Sequence, residues 1–316
     1  MPELVYKKSD QLSDKEKQQY CQLFHDVFHK TKSIKNFDRQ FLNNYKGYGY
    51  HLLYICDKKI VGAYSVVPVE YTINDTPFSV GLVVDTMIRE DYRNDFFMIK
   101  KMNKKLCPEM LADGIQFILG FPNKKIFKYR LRMLKWTAIA DLSFYVLPIN
   151  PKVFFPFFSF INPFLRLGRK IAVSIMKASA SKRIYEHPIR KVINDKFLEF
   201  RYDKNYKTID CGDDCKATYI IYKEAHKNIA YLVDFYPLSK KNFYLAMCKT
   251  AKHAGKGIDG VIYVGKLPFS SSLKLPAFKE LQKVHMTACI LDNNLNNSIV
   301  FDIKNWQVNF SDFDVR

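Results

Sequence analysis

Residues 81–88 read Gly-Leu-Val-Val-Asp-Thr-Met-Ile, and the carboxylate in that run, Asp85, is the first side chain whose setting demands chemistry. An acid inside an apolar strand must be paired or kept from ionising, so Asp85 is a candidate proton acceptor, with a structural hydrogen bond as the alternative. Cations follow it: Arg93, then Lys100, Lys101, Lys104 and Lys105, and later Lys124, Lys125, Lys128, Arg130 and Arg132. Such clusters form either a phosphate site or a solvated face. Cys211 and Cys215, in Cys-Gly-Asp-Asp-Cys, lack the second Cys or His pair that a zinc site needs, which favours a structural loop; no metal is expected. His51 opens a predicted strand and His226 falls in a turn, and nothing else marks either. Gly255-Lys-Gly-Ile-Asp-Gly260 lies after a helix and before a strand, the reverse of a phosphate-binding glycine loop, and reads as a helix stop with Gly255 as the cap.

The elements that must hold these residues can be traced in order. Ser13-Asp-Lys-Glu16 is a capping box ahead of Tyr20, Leu23, Phe24, Val27 and Phe28 at helical spacing. Residues 50–56 and 60–73 form a predicted antiparallel hairpin, and the buried run at 78–88 follows the turn Asn74-Asp-Thr-Pro77. The period turns helical from Phe96 to Leu106, a strand is predicted within 114–123, and a basic helix follows. Residues 217–237 give two more strands, residues 240–253 a helix and GIDGVIYVG another strand, a strand-strand-helix-strand echo of the first half about 150 residues later. The fold class expected is α+β.

The 316 residues are 48% apolar and 15% aromatic, which excludes a disordered chain, collagen and a disulfide miniprotein. Seven scattered cysteines and a polar, charged N-terminus point to a reducing, cytoplasmic setting. A net charge of +19 calls for an anionic partner. Residues 151–190, carrying 8 basic and 1 acidic side chains, stand apart. Phenylalanines crowd their start, cations follow from Arg166, and three prolines deny them a membrane-spanning helix. A helix predicted at about 164–182 would be amphipathic, serving either as a linker packed on both halves or as a peripheral contact with the inner, anionic face of a membrane. The division expected is 1–150, the linker 151–190, and 191–316.

Ile60-Val-Gly-Ala-Tyr64, Gly81 to Met87 running into Arg89-Glu-Asp-Tyr-Arg93, and Gly120-Phe-Pro-Asn123 followed by Trp136 resemble the GNAT acyltransferase superfamily. Phe197 to Tyr202 and Ser311 to Arg316 resemble segments of its tandem-domain members from surface-polysaccharide clusters. The resemblance implies two GNAT-like domains, the second degenerate, and an acyl-CoA such as acetyl-CoA as co-substrate. The pantetheine arm would lie as a pseudo-strand along Val84, Asp85, Thr86, Met87 and Ile88, in a gap between strands. Pyrophosphate would meet the helix start at Arg93, Asn94, Asp95, Phe96, Phe97 and Met98, with Asn123 also at the coenzyme site. The family's small residues are replaced here by Phe96 and Met98, and Asp95 adds negative charge.

The same resemblance implies transfer of an acyl group to an amine or hydroxyl, with an amino sugar on a nucleotide or lipid carrier as an acceptor. Asp85 is the first choice of base, Glu70 the second, and Tyr129 a donor to the departing thiolate. The second half lacks a pyrophosphate loop and would supply acceptor-binding surface. Two alternatives stand: a non-catalytic GNAT-fold binding protein at an anionic membrane, and an aminoacyl-tRNA-dependent transferase. No RNA-binding signature supports the second, so nucleic acid is not the expected partner.

Overall fold

The computed structural model describes residues 2–150, 180–224, 226–276 and 283–313. In the first half β1 (Glu3–Lys8), α1 (Asp14–Phe28) and α2 (Ile34–Phe41) precede β2 (Tyr50–Cys56), β3 (Lys59–Ile73) and β4 (Thr76–Ile88). Next come α3 (Met98–Ala112), β5 (Phe117–Gly120), α4 (Lys124–Met133) and β6 (Thr137–Pro148). In the second half β7 (Ile189–Lys191) and α5 (Asp195–Arg201) lead to β8 (Lys207–Gly212), β9 (Cys215–Glu224), β10 (Lys227–Tyr236), α6 (Lys240–Ala254), β11 (Gly260–Gly265), β12 (Val284–Ile290) and α7 (Asn297–Val300). The predicted capping box is present: Ser13 Oγ accepts from Glu16 N, and Ser13 N donates to Glu16 Oε2 at 2.9 Å. β1, α2, β6, β7, β8 and β12 escape the sequence reading; α2 does show Ile34, Phe37 and Phe41 at helical spacing but is only eight residues long, β1 and β7 are short, and β6 follows a helix that masks its start.

Tight turns set the registers. Asp57-Lys58, Asn74-Asp75 and Asp213-Asp214 are each a pair at positive φ, joining β2 to β3, β3 to β4 and β8 to β9, the backbone of a two-residue hairpin loop. The Cys-Gly-Asp-Asp-Cys run is therefore a turn, with Cys211 and Cys215 buried beside it. Gly255, at φ 87°, ends α6 as expected.

One sheet runs through the molecule in the order β1-β2-β3-β4-β5-β12-β6-β11-β10-β9-β8, with β7 on β3. The two halves exchange strands: β12, from the second, lies between β5 and β6, and β6, from the first, lies between β12 and β11. The boundary expected at residue 150 thus falls just after a strand that pairs only with second-half strands. The halves repeat each other in detail. β4 runs parallel to β5 over Val80–Val83, and β10 runs parallel to β11 over Ile229–Leu232. Two residues past the last paired residue stands an aspartate in each, Asp85 and Asp234, and each strand has an irregular register there. The helix predicted at 164–182 falls almost wholly outside the described residues, and no described helix is long and apolar enough to cross a membrane.

A buried polar cluster ties the halves. Lys191 Nζ lies 2.9 Å from both Asp312 Oδ2 and Asn309 Oδ1, Tyr71 Oη donates to Asp312 Oδ1 at 2.6 Å, and Asn309 Nδ2 donates to Asp234 Oδ1 at 2.7 Å. The Lys191 and Asp312 side chains are 2% and 0% exposed. Deleting Asp312 leaves the buried Lys191 with Asp234, 3.9 Å away, as its nearest acid and removes its close pair. Asp312→Ala is expected to lower stability by about 3–5 kcal/mol, read as a shift in the urea midpoint, and a change under 1 kcal/mol would contradict this role for the cluster.

Candidate active site

β4 and β5 part company at a defined point. Their ladder ends at Val83 opposite Gly120, where β5 stops and the chain turns through Phe121-Pro122-Asn123 into α4. Asn123 Oδ1 caps α4 by accepting from Lys125 N and Ile126 N, each at 3.1 Å. β4 continues to Ile88 without β5 beside it. A cavity of about 710 Å³ occupies the gap. Val84, Asp85 and Thr86 form one wall, Phe121, Pro122, Asn123 and Ile126 another, and Lys30–Lys32, Lys283 and Phe313 close it from the remaining sides. Of the five residues expected along a pantetheine arm, Val84, Asp85 and Thr86 line the cavity, whereas Met87 and Ile88 are buried and do not.

Asp85 sits at a β-bulge with φ of 42°, a left-handed conformation that Asp tolerates better than most residues. Its carboxylate pairs with Lys32, itself bonded to Gln40 Oε1 at 2.6 Å, and accepts from Tyr20 Oη at 3.2 Å. From Tyr20 a buried chain continues: Tyr20 Oη to Ser65 Oγ at 2.8 Å, Ser65 Oγ to His51 Nδ1 at 2.9 Å, and His51 Nε2 to Ser9 Oγ at 2.8 Å. The Phe37, Phe41 and Tyr20 rings enclose His51. Burial, and secondarily the Lys32 charge, push its imidazole down to about 3. Burial and the Asp85 charge hold the Tyr20 phenol well above its ordinary value. Sequence reasoning passed over His51 because its partners lie 42 and 14 residues away, and no local pattern announces them.

The expected pyrophosphate site differs from the sequence reading. Asp95 Oδ1 accepts from Phe97 N at 2.8 Å, Asp95 O accepts from Met98 N at 3.0 Å, and Lys101 Nζ lies 2.6 Å from Asp95 Oδ2. The amides of Phe97 and Met98 are therefore taken, and a carboxylate stands where an incoming anion would go. The Lys101 cation and the Phe97 amide hold that carboxyl below its usual range. Phe96 and Phe97 are 62% and 50% exposed, so their side chains lean outward. Tyr129 Oη donates to Phe96 O at 2.8 Å, its ring packs edge-on against Phe96, and it does not line the cavity. That removes it from the place of a thiolate acid. Arg93 Nε donates to Ile88 O at 2.8 Å and so fixes the end of β4. Asn94 lies between Arg93 and this self-capped start.

Glu70 is not brought to Asp85. It borders a separate cavity of about 10 Å³, and its strand neighbour toward the site, Ser65, is roughly 17 Å away at strand rise. Arg130, by contrast, separates from the other cations of α4. Lys124, Lys125, Lys128 and Arg132 are exposed, whereas Arg130 is 4% exposed and lines the cavity. Its guanidinium lies 4.5 Å from the Trp136 ring centre, and a Cβ on Gly120 would stand 1.9 Å from its Nη1. The spacing from Gly120 to Trp136 thus has a physical content: the glycine makes room for a cation and the indole supports it.

The second half closes its own gap. Past the β10–β11 ladder, Gly265 pairs with Asn309, Lys266 N donates to Val308 O at 3.0 Å, and Asn309 holds Asp234. A Cβ on Gly265 would meet Val308 O at 2.6 Å. The C-terminal segment fills the position that the cavity occupies in the first half.

Residues 8–131 match the family model of the acetyltransferase (GNAT) domain. Three solved structures share the architecture. The GCN5-related N-acetyltransferase of Anabaena variabilis is 11% identical, with a TM-score of 0.56 over 91% of this chain and 73% of that one. A conserved protein of Enterococcus faecalis, of unknown function and a probable N-acyltransferase, is 10% identical, with a TM-score of 0.58 over 92% and 73%. The GCN5-related N-acetyltransferase of Kribbella flavida is 9% identical, with a TM-score of 0.57 over 92% and 72%. No curated protein sequence matches the chain. The fold is GNAT-like, a mixed α+β sheet as the sequence implied.

Burial of His51 as a neutral ring carries a pH signature. Its folded value lies below the unfolded one, so its contribution is complete above pH ~6.5 and is lost as pH falls from there toward about 3, while the unfolded chain takes up a proton that the folded chain refuses. The expected slope is about 1.4 kcal/mol per pH unit from this group. His51→Gln should remove it from a series of urea midpoints at descending pH, and parallel curves for both proteins would refute it.

Proposed function

We propose that the chain is an acyltransferase that carries an acyl group from acyl-CoA to the amine of a small acceptor. The observation that carries this reading is the parting of β4 from β5 with a carboxylate at the mouth of the gap. An extended thioester tail has the length and hydrogen-bonding pattern to complete the free edge of β4 from Val84 onward, as an added strand would. Amine attack on the thioester carbon forms the new C–N bond, breaks the C–S bond and releases a proton. Asp85 is placed to receive that proton, and Lys32 and Tyr20 hold its carboxylate in position. The acceptor enters beside Lys30–Lys32 and Phe313, which line the same cavity as Asp85. An amino sugar on a nucleotide or lipid carrier is the first acceptor to test.

The Asp95 carboxylate favours a second reading, in which the same gap binds a ligand without turnover, because the helix start that would take the pyrophosphate is already satisfied. The two readings separate at the donor. In the catalytic reading the Asp95 carboxylate swings aside as the coenzyme binds, leaving Phe97 N, Lys101 and the neighbouring cations to the phosphates.

Acetyl-CoA is expected to bind saturably below millimolar concentration in a calorimetric titration, and no saturation at millimolar ligand would exclude the donor. Asp95→Ala is expected to tighten that binding by roughly three- to tenfold, since it removes a competing anion beside a helix start; weaker binding would place the pyrophosphate elsewhere. Asp85→Asn is expected to leave acetyl-CoA binding in place and to lower kcat by roughly 10²–10⁴-fold. An unchanged kcat with an amine acceptor would remove Asp85 from proton transfer.

A further inference from the structure

Arg130 is a buried cation without an acid. Among the described residues it joins no ion pair, and of its five donors one contact to a protein acceptor is formed, Nη1 to Thr287 Oγ1 at a long 3.4 Å. Thr287 Oγ1 donates to Gly120 O at 3.0 Å and accepts from Arg130 through a lone pair, so it supplies no negative charge. Burial pushes the guanidinium down to about 10, with Tyr64 acting in the opposite sense. Asp85 is the one acid among the described residues lining the cavity, and Lys32 already pairs with it. A buried, unpaired charge costs several kcal/mol unless something answers it.

We propose that Arg130 is the binding residue for a carboxylate carried by the molecule that enters the gap between β4 and β5. A forked guanidinium matches a carboxylate in shape and cancels it charge for charge, whereas a dianionic phosphate would leave net charge in a site walled by Val83, Ile126 and Phe121. The carboxylate belongs either to the acyl group of the donor or to the acceptor. Its part in choosing between substrates rests on the transferase reading; its affinity for carboxylate does not.

The test uses the full chain without coenzyme. Succinate is titrated at constant ionic strength, with chloride and inorganic phosphate as controls, and followed by tryptophan fluorescence, since Trp136 lies against the guanidinium. Wild type is expected to respond saturably to succinate, and Arg130→Met to bind it at least tenfold more weakly. Ligand-free Arg130→Met is expected to melt at or above the wild-type temperature, because a buried cation held by an indole and one long hydrogen bond, with no acid, has been removed; a residue that merely braces Thr287 and Trp136 would give a lower value with succinate binding intact. Should Arg130→Met fail to fold, Gly120→Ala keeps the arginine but displaces its guanidinium and should lose succinate in the same way. Equal succinate binding in wild type and variants, or a response to phosphate and none to carboxylates, would overturn the proposal. Tighter binding of succinyl-CoA than of acetyl-CoA, lost in Arg130→Met, would place the carboxylate on the acyl group; acetyl transfer to glycine but not to glycinamide, lost in Arg130→Met, would place it on the acceptor. Failure of every CoA ester to bind would sink the transferase reading while leaving the succinate result to stand or fall alone.

Discussion

The end of the β4–β5 ladder at Val83 and Gly120 is the constraint from which the rest of the site follows. A strand that runs on alone presents backbone N–H and C=O groups that must find partners. The molecule contains this problem twice and answers it differently each time. In the second half, Val308 and Asn309 lie against Gly265 and Lys266 and fill the gap with the chain's own backbone. In the first half, the corresponding space is a cavity. The same duplicated framework therefore fills one gap with its own backbone and keeps the other as a cavity.

The two aspartates that mark these gaps show the same divergence in their charges. Asp234 is held by Asn309 and lies near Lys191, in a cluster closed on every side by side chains from both halves. Burial raises its carboxyl above the usual range. Asp85 also has a lysine, but its other neighbour is the cavity, and behind it a relay of hydroxyls leads to a neutral histidine. Such a relay rigidifies the carboxylate through Tyr20 and Ser65 without adding a second charge, so the one negative group at the mouth stays in a single orientation.

Much of the framework was legible because it is local. The β2–β3–β4 ribbon announces itself by β-branched runs broken by Asp57-Lys58 and Asn74-Asp75, and α1 by its capping box. Asp85 stands out for the same reason, as a polar residue out of place in an apolar strand, and the structure sets it at the cavity with Lys32 as its partner. What could not be read depends on distance in sequence. The exchange of β6 and β12 joins strands about 140 residues apart, and no periodicity encodes it. His51 and Arg130 look like ordinary members of a strand and of a basic helix until the fold sets Ser9 beside one and Gly120 beside the other. Tyr129 was misplaced because its helix position predicts which face it occupies, not that Phe96 O would claim its hydroxyl.

The alternation of β4 explains how the cavity comes to touch both faces of the sheet. Side chains on successive strand residues face opposite sides of the sheet. Val83 packs with Tyr64 and Trp136, on the face where Arg130 lies, while Leu82 joins the cluster of Tyr20, Phe37 and Phe41, on the face where Lys32 reaches Asp85. Opening the ladder beyond Val83 therefore connects the two faces, giving a passage with a guanidinium on one side and a paired carboxylate on the other. A sheet zipped along its full length would keep those groups apart by a layer of backbone. Because β5 stops at Gly120, the cavity reaches both faces of the sheet beside the bulge at Asp85.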